Sequence, residues 1–125
     1  MKKRVFGQVK QGDGIAGKEF GVPTANLDVS VSGLEYGVYA AYVDYNGARY
    51  GGVVCYGVGE PPKFEVHLLD FSGHLVGNNL DVEIVQHVSD LVPWKSKEQM
   101  AKKISDDIKK TRNILALSES LTTNH

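Results

Sequence analysis

The middle of the chain alternates between apolar and polar positions. In Phe64–Phe71, Phe64, Val66 and Leu68 share one face, and Glu65, His67 and Leu69 share the other. In Leu80–His87, Leu80, Val82, Ile84 and Gln86 alternate with Asp81, Glu83, Val85 and His87. A period of two marks strands buried on one face, as in an antiparallel sheet. Val5–Lys10 predicts a first strand, with Val5 and Val9 opposite Phe6. Val38–Tyr45 is rich in β-branched and aromatic residues and predicts another strand. Asn46-Gly47 is a favoured hairpin turn, so Ala48–Cys55 is expected to pair back on it. Gly51-Gly52 inside that strand suggests a bulge or a close approach by other groups. Asp70–Gly77, with Ser72-Gly73 as its turn, is expected to be a hairpin connection.

The period changes near the C-terminus. Ser96 and Gln99 have capping-box spacing. Met100, Ile104, Ile108, Thr111 and Leu115 then recur at intervals of three and four, which predicts one amphipathic helix. The lysines and aspartates between them are expected to form its solvated face. Ser118–His125 has no periodicity and is expected to be a flexible tail. The sum is a mainly β domain over residues 1–117. About six short strands should curl into a barrel or closed sheet with the helix packed against it. The absence of βαβ alternation argues against a Rossmann crevice.

Composition narrows the picture slightly. A chain of 125 residues, 42% hydrophobic, suits one domain with one core. The formal charge of −1 offers no basic footprint, so no nucleic-acid partner is expected. Cys55 is the single cysteine and lies in a valine- and tyrosine-rich run, which fits a buried structural thiol. A lone thiol, no secretory leader and no membrane-length apolar stretch lead to the expectation of a cytoplasmic protein.

Candidate chemistry gathers at Gly21-Val22-Pro23-Thr24-Ala25-Asn26-Leu27. Pro23 fixes its own φ and drives Val22 towards extended backbone. Thr24 and Asn26, two apart, then project from one face. A hydroxyl and an amide carbonyl are hard oxygen ligands that suit magnesium on a substrate phosphate. The same residues could instead bond the backbone of a turn. Just upstream, Gly12-Asp13-Gly14-Ile15-Ala16-Gly17-Lys18 forms a loop whose amides could approach phosphate, although it lacks the Walker spacing. Glu65 is the candidate general base, against the alternative of an ordinary strand residue. The histidines show no paired spacing for zinc.

Three blocks and one glycine occur in order: Gly17–Leu27, then Gly37-Val38-Tyr39-Ala40, then Glu65–Phe71, then Gly77. Together they resemble the riboflavin kinases, from about Gly7 to the end of the helix. The resemblance implies a six-stranded antiparallel Greek-key barrel with a C-terminal α-helix. It implies transfer of the γ-phosphate of ATP to riboflavin, giving FMN, with Mg2+ as the metal and a monomeric protein. It places Gly12, Gly14, Gly17 and Lys18 in the ATP loop, and Thr24 and Asn26 on magnesium and the nucleotide phosphates. Glu65 becomes the catalytic carboxylate that activates the terminal ribityl hydroxyl. Leu68 and Asp70 fall at positions lining the nucleotide pocket, and Trp94 at an aromatic position near the flavin. The chain holds no FMN adenylyltransferase half, so no FAD synthesis is expected. Four departures accompany the resemblance. Ile15 and Ser89 stand at frequent arginines, Val76 stands at a frequent tyrosine, and the Gly57–Phe64 loop is short. The loss of polar handles at Ile15, Val76 and Ser89 motivates an alternative, a flavin-binding module without kinase activity.

Overall fold

The computed structural model describes residues 3–11 and 21–123. Among them, the alternating segments close into an antiparallel barrel. The strands are β1 (Arg4–Lys10), β2 (Ala25–Leu27), β3 (Gly37–Tyr45), β4 (Ala48–Val58), β5 (Lys63–Leu68) and β6 (Asn79–Ser89). Their order around the barrel is β1-β2-β5-β4-β3-β6. β3, β4 and β5 form a meander and β6 returns beside β3, which makes the winding a Greek key. The architecture is therefore the expected six-stranded Greek-key barrel with a C-terminal helix.

Alternation decides what fills the barrel. Phe64, Val66 and Leu68 of β5 turn inward, where Leu27, Val54 and Leu80 meet them. Val5 and Val9 are buried, while Phe6 between them is exposed. The β3–β4 hairpin turns at Asn46 and Gly47, with φ of 50° and 78°, the left-handed pair that such a tight turn requires. The expected β5–β6 hairpin is not formed. β6 pairs with β1 and β3, and residues 69–78 cross from β5 to the far side of the barrel. Backbone bonds from Leu69 N to Gly51 O and from Gly77 N to Val9 O, each 2.8 Å, hold the crossing.

The helix α1 (Lys97–Thr123) begins where the capping signal put it, with Gln99 N donating to Ser96 Oγ at 3.2 Å. It runs on to Thr123, so most of the expected tail from Ser118 is helical. No glycine or proline interrupts Lys97–Thr123, and serine and threonine near the end tolerate a helix. Its apolar stripe lies across β3 and β4, with Leu115 buried against Ala40, Tyr42 and Leu69. Tyr42 OH donates to Leu115 O at 3.2 Å. Gly51 serves this contact: a Cβ there would come within 2.8 Å of Leu115 Cδ1. The Gly51-Gly52 pair is thus a close approach and not a bulge, since the β3–β4 register runs unbroken through it.

Candidate functional site

The site is built on the outer face of the barrel, beneath the first turns of α1. Strand register sets up a row of side chains. Asn26 on β2 lies opposite Glu65 on β5, Glu65 opposite Cys55 on β4, Cys55 opposite Val38 on β3, and Val38 opposite Ser89 on β6. A cavity of about 290 Å³ lies between this face and the helix. Its floor includes Val38, Val53 and Cys55, and its roof Met100, Ile104 and Ile108. Trp94 and Val92 line it as well, both at least half exposed. The walls are mostly apolar, suited to a flat ring system, with polar groups at separate places.

One polar place joins the segment around Pro23 to β5. Thr24 Oγ1 donates to Glu65 Oε2 at 3.1 Å. That bond uses the only hydrogen of the hydroxyl and leaves its oxygen lone pairs for another partner. Next to Glu65 on β5, His67 Nδ1 lies 2.7 Å from Pro23 O. A carbonyl can only accept, so Nδ1 carries the proton, and the ring pins the Pro23 segment to the strand. Asn26 is 5% exposed, and its Oδ1 has no hydrogen-bond partner. A buried carbonyl oxygen without a donor is costly unless something positive meets it. Among the described residues no group of three or more His, Cys, Asp or Glu side chains could hold a metal. The donor set is instead the hard, neutral oxygens of Thr24 and Asn26, which fit magnesium on a phosphate.

The remaining expected residues separate. Gly12, Gly14, Gly17 and Lys18, with Ile15, lie outside the described residues. Leu68 does not line the cavity. Period-two alternation turns it into the barrel core beside Val66. Asp70 does not reach the cavity either. It sits beyond β5 with φ of 57°, and Arg112 grips both its oxygens at 3.0 Å. Cys55 is a cavity residue, and burial, the main cause, pushes its thiol up to about 11. Val76, one of the departures, is exposed and lies outside the cavity lining.

Two cavity residues escaped the sequence reading. Lys103 and Asp107, expected on the solvated face, are 18% and 9% exposed at their side chains and form an ion pair. Their signal was spacing: both fall three residues after Met100 and Ile104, on the flank of the apolar stripe. Lys103 Nζ also donates to Ser89 Oγ at 2.8 Å, so a cation stands beside Ser89 despite the missing arginine.

Comparisons with known proteins bear on the family and the fold. A family model described as Flavokinase, riboflavin kinase, matches residues 2–115. A bifunctional riboflavin kinase/FMN adenylyltransferase of Pseudomonas fluorescens is 32% identical over 122 residues, 92% of this chain and 39% of that protein. An RNA-binding riboflavin kinase, RibR, of Bacillus subtilis (strain 168) is 30% identical over 99 residues, 74% of this chain and 43% of that protein. The chain thus spans about two fifths of the length of these curated relatives. Among solved structures, a Streptococcus pneumoniae chain described as a macrolide-efflux protein superposes with a TM-score of 0.77 at 26% identity, covering 88% of this chain and 38% of that one. The riboflavin kinase of Trypanosoma brucei has a TM-score of 0.71 at 15% identity, covering 100% and 88%, and speaks for the fold. Among the described residues no helix is long and apolar enough to cross a membrane. With its family match, its closed barrel and its helix-roofed cavity, the chain belongs to the riboflavin kinase family.

Proposed function

We propose that this chain is a working riboflavin kinase, transferring the γ-phosphate of ATP to the ribityl 5′-hydroxyl of riboflavin to give FMN and ADP. The observation that carries the reading is the Thr24–Glu65 hydrogen bond at the edge of an apolar, ring-sized cavity. Riboflavin needs that combination: dry walls for the isoalloxazine ring, and a carboxylate where the polyol chain ends.

Glu65 is the proton acceptor. As the 5′-oxygen forms its bond to the γ-phosphorus, the bond to the β,γ-bridging oxygen breaks, ADP leaves, and the hydroxyl proton passes to the Glu65 carboxylate. Thr24 orients that carboxylate through its hydroxyl, and His67 holds the Thr24 segment in place through Pro23 O. Thr24 and Asn26 would hold magnesium, which when bound neutralises phosphate charge. The cavity walls exclude water, so positioning and charge supply most of the rate. The reaction needs no covalent intermediate, and Cys55, held neutral by burial, takes no part.

Incubation of the protein with riboflavin, ATP and magnesium, followed by chromatography, tests the reading: FMN is expected. Bound flavin without FMN, across several nucleotide donors, would favour the non-catalytic module that Ile15, Val76 and Ser89 suggest. We restrict partners to small molecules. An RNA filter-binding measurement separates this chain from what its Bacillus relative's name states of that protein.

A further inference from the structure

The outer face of β5 carries more than the Glu65 carboxylate. Period-two alternation buries Phe64, Val66 and Leu68 and turns Lys63, Glu65 and His67 the other way, where all three line the cavity. Lys63 opens the strand opposite Val58 of β4. Its stem lies against the bare backbone of Gly59, where a Cβ would come within 3.3 Å of Lys63 Cε and 3.6 Å of Lys63 Cδ. A long side chain laid along a wall loses less freedom when it meets a ligand.

The chemistry at Glu65 creates a need for a cation. After transfer the flavin carries a phosphate monoester with roughly two negative charges. When Glu65 then sheds its proton to water, a carboxylate faces that dianion. The nearby hydrogen-bond donors are already engaged. Thr24 gives its hydrogen to Glu65 Oε2, and His67 gives its Nδ1–H to Pro23 O. The other nitrogen of a neutral imidazole can only accept. Among the described residues two lysines line the cavity, Lys63 and Lys103. Lys103 Nζ donates to Asp107 Oδ2 at 2.6 Å and to Ser89 Oγ at 2.8 Å. Ser89 ends the row Glu65, Cys55, Val38, Ser89, three strand spacings or roughly 14 Å from Glu65 along the sheet. Lys63 is two residues from Glu65 on the same face of one strand, roughly 7 Å away. Its four-carbon stem spans that gap. An ammonium has three donors, so a contact within the protein does not exhaust it.

We propose that Lys63 grips the 5′-phosphate of FMN, so that the site holds the phosphorylated flavin after ADP has left. The ammonium donates to phosphate oxygens, a charge-assisted contact that the neutral 5′-hydroxyl of riboflavin cannot match. Lys63 thereby sets how strongly the product competes with the substrate for the site, and charge makes that competition sensitive to salt. The proposal rests on the reading that Glu65 marks the ribityl end of the bound flavin.

The test is binding of FMN and of riboflavin, each read by quenching of flavin fluorescence. Lys63→Met keeps an apolar stem over Gly59 and removes the charge. FMN affinity is expected to fall roughly tenfold or more, the scale of a hydrogen bond between charged groups, while riboflavin affinity stays within about threefold. Lys63→Arg keeps the charge and is expected to retain most of the FMN affinity. Added salt should weaken FMN binding in the wild type more than in Lys63→Met. Circular dichroism checks that each variant is folded, and Lys63→Gln replaces Lys63→Met if the latter is not. Equal losses for both flavins overturn the proposal, as do unchanged FMN affinity in the folded variant, a loss in Lys63→Arg as large as in Lys63→Met, or wild-type protein that binds riboflavin and not FMN. In each of those cases FMN formation by the wild type is measured separately, and the kinase reading stands on it. Wild-type protein that binds neither flavin removes both readings together.

Discussion

The barrel carries two charged clusters on its outer surface, and they differ in their solvent. In one, Asp44 accepts from Arg49 Nε at 2.9 Å and from Arg4 at 3.2 Å, and Arg4 also reaches Asp81 and Glu83. Arg4, Arg49, Asp44 and Asp81 are each more than a third exposed at the side chain, while Glu83, at 9%, is the buried member of this cluster. Water screens the pairs among the four exposed side chains, and each of those is worth little. In the other cluster, Lys103 and Asp107 line the cavity at 18% and 9% exposure of their side chains, and Ser89 bonds to both. Charges there are poorly screened, expensive to unpair and able to discriminate among ligands. The first cluster ties strands together; the second faces a place where a substrate can lie. Position relative to α1, and not the amount of charge, separates a structural network from a site.

Substitutions on the cavity side should therefore change chemistry, and those in the open network only stability. The largest effect is expected from Glu65→Gln. Turnover should fall about 10²- to 10⁴-fold with riboflavin affinity nearly unchanged, measured by FMN formation and flavin quenching. Wild-type turnover in that variant would end the assignment of Glu65. Lys103→Met alone should come next. It leaves Asp107 buried with Ser89 as its hydrogen-bond partner on the sheet and should cost roughly 3–5 kcal/mol in denaturant unfolding. A loss under about 1 kcal/mol would mean that Asp107 is as well solvated as the open network, and the contrast would collapse.

How much of this the sequence disclosed depends on which signal was local. Alternation in β5 and β6, the Asn46-Gly47 turn and the Ser96 cap are local, and all of them hold. The partner of β6 is not local. Nothing in residues 69–78 shows that the chain crosses the barrel, so a hairpin looked natural. Leu68 is instructive. Alternation placed it with Phe64 and Val66, and in the structure all three lie inside the barrel. Thr24 and Glu65 could be brought together only by the β2–β5 register, yet their residue types already suggested one chemistry. Lys103 and Asp107 were hidden because charged residues on a helix ordinarily face water. Their spacing along the stripe carried the contrary message.

Cys55 gives an intermediate effect on the cavity side. Burial raises its thiol from an ordinary value of 9.0 to about 11, so the folded state holds the proton more tightly than the unfolded chain. Stability from this source is full below pH 9 and is lost as pH rises through about 11. Cys55→Ser should flatten that alkaline limb. At pH 8 alkylation of Cys55 by iodoacetamide should be slow, and slower still with riboflavin present, as mass spectrometry would record. Rapid modification unaffected by riboflavin would place the thiol outside the occupied cavity.

The smallest effect belongs to the open network. The hydrogen bond from Arg49, more than any other cause, holds the Asp44 carboxyl below its ordinary 3.8. A depressed carboxyl stabilises the fold above its unfolded value and loses that contribution as pH falls through the folded value. Asp44→Asn should therefore cost at most about 1 kcal/mol at pH 7. Its difference from wild type should shrink below pH 3.8 and also in 1 M salt at neutral pH, where the screening length falls to about 3 Å. The same salt should change the cost of Lys103→Met much less, because the Asp107 it would leave unpaired is 6% exposed. If salt abolished both effects equally, the two clusters would share one solvent, and their different roles would have no physical basis.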